Sequence, residues 1–201
     1  MTRQADRPNG AAEVGPYGDF AEIVQRYWKS YGGLKELARS PFLHAAVLLT
    51  ALTASSWSSS AWSAVALSVL PNLLGFGVSG YAIWIGWGDP EFRRRLAKLE
   101  MGPGVSAYAQ VSATFAHFAL IQVLALLWAL MFSSLDYAVA PSSAIGATLQ
   151  LLGLRYDLFA SCRSVGAAVG FFLFVYAILV AFEATLALFR LATWLQRDPP
   201  P

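Results

Sequence analysis

The sequence predicts an all-α polytopic membrane protein with four transmembrane helices in two hairpins, preceded by an N-terminal amphipathic interfacial helix. Of the 201 residues, 57% are hydrophobic and only 13% are charged, which departs from the usual soluble balance. Two long stretches, 41–88 and 101–135, contain no Asp, Glu, Lys or Arg. A soluble fold would have almost nothing charged to place on its surface there, whereas a bilayer removes that requirement.

The N-terminal region divides into a tail and a helix. Residues 1–19 mix Pro, Gly, Asn and charges without periodicity, which predicts a disordered cytoplasmic tail. Residues 20–39 are predicted to be an amphipathic interfacial segment, whose helix has an aromatic stripe and should end at Gly32 and Gly33. That stripe recurs at three- and four-residue steps and consists of Phe20, Ile23, Val24, Tyr27, Trp28 and Tyr31. The helix is expected either in the headgroup region of the membrane or packed on the protein's own cytoplasmic loops.

Residues 40–190 form the predicted transmembrane domain. Its four spans cover about 41–57, 62–87, 108–132 and 164–189. Ser40 and Pro41 have the form of an N-cap followed by proline at the first helical position. In the second span a proline predicts a kink, and three glycines permit close helix approach: Pro71, Gly75, Gly77 and Gly80.

The connections between the spans differ in character. The first is small and uncharged, and the second is a basic loop that contains Arg93, Arg94 and Arg95. The third contains the segment 137–154, whose Pro, Ser, Gly and Gln residues favour an interfacial or re-entrant helix over a fifth span. Residues 191–201 are predicted to be a cytoplasmic tail.

The basic residues orient the bundle. In the four-span arrangement, of the 14 Lys and Arg residues only Arg155 and Arg163 fall on the outer side. Because cytoplasmic loops carry an excess of Lys and Arg, both termini are expected in the cytoplasm. The charge count does not separate four spans from five, since a fifth span would exchange Arg155 and Arg163 for Arg190 and Arg197.

Four polar side chains stand out within the predicted spans, where such groups are costly and indicate function by default: Asn72, His117, Gln122 and Glu183. From the cytoplasmic side, at about 1.5 Å per residue, Glu183 and His117 form one layer and Asn72 and Gln122 a deeper one. A Glu183–His117 pair could bind a cation or pass a proton. It is more simply interpreted as a hydrogen-bonded contact that holds two helices together. Alternatively, Glu183 extends toward Arg190. Asn72 is expected to satisfy backbone groups freed by the proline kink.

Small residues and exposed residues suggest two kinds of contact. Gly166 and Gly170 make a GxxxG pattern, which permits either intramolecular packing or self-association into a homo-oligomer. Tyr27 and Trp28, together with the basic loop, are candidates for docking a cytoplasmic partner or anionic lipid.

Other chemistries are not indicated. The single cysteine, Cys162, excludes an internal disulfide and zinc sites built on paired cysteines. Two distant histidines offer no metal spacing, and neither a catalytic motif nor a phosphate loop occurs, so no enzyme, metal or cofactor is predicted. The formal charge of +2 and the lack of a periodic basic patch argue against nucleic-acid binding.

Several stretches in about the first half of the chain resemble small bacterial inner-membrane proteins that have no named family. They are 31–33 (Tyr-Gly-Gly), 40–42 (Ser-Pro-Phe), 70–76 (Leu-Pro-Asn-Leu-Leu-Gly-Phe) and 80–82 (Gly-Tyr-Ala). The resemblance implies a bacterial origin and an inner-membrane location, and it implies no activity.

Two classes of function follow. The first is a membrane anchor or accessory subunit that docks a partner or lipid through the N-terminal helix and the basic loop. The second is a homo-oligomeric ion- or proton-conducting protein, for example a stress or defence effector. The first class is favoured because it demands nothing of the polar residues inside the spans.

Overall fold

The structure is a computed structural model that describes residues 16–59, 61–86, 90–102, 104–139, 142–151 and 156–197. It is all-helical apart from one short hairpin. The helices are α1 Pro16–Tyr31, α2 Gly33–Arg39, α3 Pro41–Leu52, α4 Ala54–Ser58, α5 Ala61–Gly86, α6 Pro90–Lys98, α7 Ala107–Val139, α8 Ala144–Leu151 and α9 Tyr156–Arg197. Strands β1 (Glu100–Gly102) and β2 (Val105–Ser106) pair antiparallel between α6 and α7.

Three of the described helices are long and apolar enough to cross a membrane. They are Ala61–Gly86, Ala107–Leu135 and Ser161–Arg190, each longer than the roughly 20 residues that a 30 Å hydrocarbon core requires. The chain therefore has the build of a multi-pass membrane protein. These segments lie in α5, α7 and α9 and match the second, third and fourth predicted spans.

The first predicted span, 41–57, is divided in two. Helix α3 ends at Leu52, and Thr53 leaves the helical conformation before α4 begins at Ala54. Both the amide and the hydroxyl of Thr53 donate to the Leu49 carbonyl, at 3.0 and 2.6 Å. Thr114, Thr148 and Thr185 make the same side-chain bond within unbroken helices, so this bond does not by itself account for the break. The 12 residues of α3 are apolar but shorter than a full crossing.

The N-terminal helix begins and ends where its sequence allows. It starts at Pro16 rather than at residue 20, so four residues of the predicted tail are helical, and residues 1–15 lie outside the described chain. Gly32 has a φ of 101°, a conformation that glycine adopts without strain. That turn separates α1 from α2, as the two glycines predict.

Two later connections also differ from the predicted boundaries. Helix α8 has 8 residues, a length of about 12 Å, which is too short to cross a bilayer. Helix α9 continues to Arg197, into the predicted tail, because no helix breaker occurs before Pro199.

Helix α7 lies at the centre of the bundle, with α5 and α9 packed along it and α3 packed on α9. We call the two ends of the bundle the Pro41 end and the Trp62 end. Near the Trp62 end the core is built from Trp62, Leu70, Ala125, Ala129, Phe132 and Phe174. Toward the Pro41 end it is built from Ala46, Phe115, Phe118, Tyr176 and Val180.

Aromatic rings of neighbouring helices pack against two glycines of the spans. Gly77 lies so close to Phe118, and Gly170 so close to Trp62 and Trp128, that a methyl group at either position would overlap the rings. The Gly166 carbonyl accepts a bond of 2.9 Å from the Trp128 indole. Each glycine thus lets two helices approach within one chain. By contrast, Gly75 has open space where a side chain would stand.

Candidate functional site

A cluster of three tyrosines around one histidine joins α1 to the bundle. His117 on α7 is only 2% exposed. The Tyr27 hydroxyl lies 2.7 Å from its Nδ1, and the Tyr176 hydroxyl lies 2.9 Å from its Nε2. The ring of Tyr31 stacks on the imidazole with centroids 4.1 Å apart. We call these four residues the tyrosine–histidine cluster.

Helical spacing brings the cluster together. Tyr27 and Tyr31 are four residues apart, so both face α7 from the same side of α1. In a neutral imidazole one nitrogen donates and the other accepts, so one tyrosine hydroxyl donates to the ring and the other accepts from it. Every hydrogen-bonding atom of the imidazole therefore has a partner, which offsets the cost of burying it.

The α1 tyrosines are held in their neutral form. Burial raises the pKa of Tyr27 from 10.0 to about 12. Burial also raises the pKa of Tyr31 well above its usual range, and the nearby Tyr176 and Glu183 raise it further. Both hydroxyls consequently keep their protons near pH 7, and Tyr27 remains able to donate or accept.

A cavity of about 420 Å³ opens beside the cluster, at the Pro41 end of the bundle. Tyr31 contributes to its wall, together with residues from α2, α3, α7 and α9. Its charged lining residues are Glu36, Arg39, Glu183 and Arg190. The Glu183 Oε2 atom is buried without a hydrogen-bond partner, and so is the Oγ atom of Ser40, another lining residue.

The predicted Glu183–His117 pair is not formed. Both ring nitrogens of His117 face tyrosine hydroxyls, and Glu183 borders the cavity instead. The physical reason is that α1 folds back onto α7 and supplies Tyr27 and Tyr31, an arrangement that the hydropathy of the spans does not encode. The structure also places Tyr27 against its own chain rather than on an open docking surface.

The predicted deeper layer of Asn72 and Gln122 is not formed either. Asn72 is exposed, and its Nδ2 donates to the Ser68 carbonyl of the same helix at 3.0 Å. Gln122 is fully buried, and neither of its side-chain polar atoms has a hydrogen-bond partner. The two side chains differ because α5 turns residue 72 away from the bundle, whereas α7 turns residue 122 into it.

Sequence reasoning did not single out Tyr176 or the cavity-lining Glu36 and Arg39, and it singled out Ser40 only as a helix N-cap. One signal was available for Tyr176: it precedes Glu183 by two helical turns and so shares its face of α9. The cavity residues carried no signal, because they come from helices that meet only in the tertiary structure.

The basic loop forms helix α6 on the Pro41 end. Leu96 is buried against Trp84 and Ala107, which turns Arg94 and Arg95 outward. The Arg93 guanidinium donates to the Ile85 carbonyl at 3.2 Å, and Arg95 pairs with Glu91 at 3.6 Å.

Trp28, the other aromatic docking candidate of α1, is half-buried and stacks with Tyr31.

Among the described residues, no group of three His, Cys, Asp or Glu side chains could hold a metal ion. Cys162 is exposed and free.

Comparisons with protein-family models, with curated proteins and with solved structures found no match to this chain.

Proposed function

We propose that the protein is a membrane anchor or accessory subunit of a bacterial inner membrane, which docks anionic lipid or a cytoplasmic partner through α1 and α6. In this proposal α3 and α4 together form a fourth span, and both termini lie in the cytoplasm. The Pro41 end then faces the cytoplasm, together with the basic residues of α6. The GxxxG glycines pack within the chain, so a homo-oligomer would form through other surfaces.

The observation that carries the proposal is the divided surface of α1. Its C-terminal half is tied to the bundle by Tyr27 and Tyr31. Its N-terminal half leaves large apolar side chains exposed, and these are Tyr17, Phe20, Ile23 and Val24. Exposed apolar side chains on an otherwise polar helix are typical of a segment that enters the membrane interface or contacts a partner.

The interior of the bundle supports docking over conduction. Leu70, Gln122 and Val180 come from three different helices, and all three are fully buried. Side chains therefore fill the space between the helices near the middle of the bundle. A binding role requires no rearrangement of these side chains. Conduction through a single chain would require the helices to move apart.

Spin labels on α1 test the docking role in nanodiscs. We expect a label at position 20 to be accessible to oxygen and protected from a water-soluble nickel complex when phosphatidylglycerol is present. Position 26 on the polar side of α1, where Arg26 pairs with Glu22 in solvent, is the matched control and should show the reverse. A partner site predicts instead that position 20 contacts water until the partner binds. Protection of position 20 from both reagents in the isolated protein would contradict the proposal.

Ion or proton conduction is the second candidate, and the unpartnered Glu183 Oε2 beside an open cavity favours it. An ionisable group at a span end that faces a cavity is a common feature of ion paths. If the protein conducts, Glu183→Gln should abolish flux in liposomes while leaving the assembly intact, and His117→Ala should shift the pH dependence of the remaining flux. If wild-type liposomes show no flux above empty liposomes, this candidate is excluded.

A further inference from the structure

We infer that the cavity at the Pro41 end binds a phosphoethanolamine group, whose ammonium meets Glu183 and whose phosphate meets Arg39 and the first turn of α3. This inference goes beyond the docking role of α1 and α6, because it concerns a different part of the surface. The residues that bind the group come from α2, α3 and α9 and from Ser40, which precedes α3; Tyr31 of α1 and Met101 of β1 contribute to the wall of the cavity.

The charges of the lining are balanced. Arg190 interacts electrostatically with Glu183, but the two side chains do not form a close ion pair. Two carboxylates, Glu36 and Glu183, and two guanidinium groups, Arg39 and Arg190, border the same space. No ion pair within 4 Å joins any of these four side chains in the part of the chain that the structure describes. The cavity wall therefore carries two positive and two negative charges and no net charge. Such a wall complements a zwitterion better than an anion or a cation.

The anionic part of the ligand is placed by Ser40 and α3. Ser40 occupies the N-cap position of α3, yet its hydroxyl does not cap the helix. The residue is 7% exposed, it lines the cavity, and its Oγ has no hydrogen-bond partner. The N-terminus of a helix attracts anions through its free N–H groups. A phosphate there would accept bonds from Ser40 and from the adjacent Arg39.

The cationic part is placed by Glu183. Its Oε2 is buried without a partner, and such an atom is costly unless a donor reaches it. An ammonium group supplies several N–H donors. Arg190 lies two turns further along α9, about 10 Å nearer the end of the bundle, so the cavity offers a carboxylate at depth and a guanidinium toward its mouth.

The cavity has room for this group. Its volume of about 420 Å³ falls in the usual range of small-molecule sites. Two sources carry the same chemistry: the headgroup of phosphatidylethanolamine and free phosphoethanolamine. They differ in whether acyl chains extend from the cavity into the surrounding bilayer.

Titration calorimetry on the full-length protein in detergent tests the inference with dihexanoyl-phosphatidylethanolamine and with phosphoethanolamine. We expect saturable binding of at least one of them. Dihexanoyl-phosphatidylcholine should bind more weakly, because its quaternary ammonium has no N–H to donate. Dihexanoyl-phosphatidylglycerol, which has no cationic group, should bind more weakly still. Tighter binding of the lipid supports a lipid site, and equal binding supports a site for the free zwitterion.

Charge variants with matched controls separate this site from general surface attraction. Arg39→Gln and Glu183→Gln should each weaken binding about tenfold or more, the usual effect of losing a hydrogen bond to a charged group. Lys35→Gln removes a positive charge from the same helix as Arg39 but not from the cavity wall, and it should change affinity less than about twofold. Thermal midpoints and gel filtration show whether each variant is folded.

A steric variant keeps the inference testable if a charge variant fails to fold. Ala187→Phe places a ring into the cavity, whereas Leu188→Phe adds volume at the next, exposed position. Only the former should abolish binding. The inference is overturned if neither probe binds, if phosphatidylglycerol binds as tightly as phosphatidylethanolamine, or if Arg39→Gln and Lys35→Gln have equal effects.

Discussion

At the scale of single residues, two buried polar side chains of α7 have opposite surroundings. The imidazole of His117 has a tyrosine hydroxyl at each nitrogen. The amide of Gln122, also fully inside the bundle, has no hydrogen-bond partner at either atom. The first arrangement stabilises the contact between α1 and the bundle, whereas the second costs stability because the amide loses its bonds to water on burial. Substitutions that remove these polar groups or their partners should therefore have opposite effects on stability.

Tyr27→Phe should loosen α1. The change removes the hydroxyl that bonds His117 and keeps the ring, and a neutral hydrogen bond contributes about 1 kcal/mol. We expect the backbone amides of α1 to exchange with deuterium about fivefold faster, as measured by mass spectrometry. Tyr17→Phe is the matched control, since Tyr17 is 91% exposed. Equal exchange in the wild type and in Tyr27→Phe would show that the hydrogen bond does not hold α1.

Gln122→Leu should stabilise the protein. Leucine fills a similar volume and leaves no buried polar atom without a partner, which is expected to raise stability by about 1 kcal/mol or more. The thermal midpoint in detergent measures the effect. Thr185→Val on α9 is the control, because that exposed hydroxyl bonds a carbonyl of its own helix. A lower midpoint for Gln122→Leu would mean that the amide has a partner in the membrane-embedded protein.

At the scale of elements, helix approach depends on which glycine faces a ring. Two glycines of α5 lie two residues apart and so point to different sides of the helix. Gly77 faces Phe118 of α7, and Gly75 faces open space. Sequence reasoning grouped them with Gly80 as residues that permit close packing, yet within this chain only Gly77 is overlaid by a ring.

Gly77→Ala and Gly75→Ala should change stability in opposite directions. A methyl group at residue 77 overlaps Phe118, and overpacking of this kind typically costs about 1–3 kcal/mol. At residue 75 the methyl group meets nothing, and alanine is favoured over glycine within a helix by about 0.5–1 kcal/mol. Thermal midpoints of both variants in one detergent provide the comparison. Equal midpoints would mean that α5 and α7 are separated further than the structure shows.

At the scale of the whole molecule, the orientation in the membrane determines what each end can meet. The Pro41 end combines the cavity, the tyrosine–histidine cluster and the basic helix α6. At the Trp62 end the rings of Trp62 and Phe132 pack with their centroids 5.1 Å apart. All the proposed docking and binding surfaces therefore lie at one end, which we propose faces the cytoplasm because the basic residues of α6 lie there.

Labelling of single cysteines with an impermeant maleimide tests that orientation in intact cells. Native Cys162 and a Ser59→Cys variant made in a Cys162→Ser background should react. A Gly102→Cys variant in the same background should react only after the cells are permeabilised, because β1 adjoins the basic helix α6. Labelling of position 102 in intact cells, or protection of Cys162, would contradict the four-span arrangement with cytoplasmic termini.

The sequence by itself determined the membrane character, the helical fold and the approximate positions of the three long apolar helices. These properties follow from local hydropathy, charge and helix breakers, which act over one or two turns of the chain. It did not determine the break at Thr53, because threonine is also compatible with an unbroken helix, as at Thr114, Thr148 and Thr185.

Only the tertiary structure decided which polar residues meet. Tyr27 and His117 are 90 residues apart in the chain, and their contact depends on how α1 folds back and how α7 is rotated about its axis. Glu183 was expected beside His117 on depth alone, but depth does not specify the face of a helix that a residue occupies. The rotation and packing of the helices gave these two residues different neighbours and assembled the cavity from residues of five helices and β1.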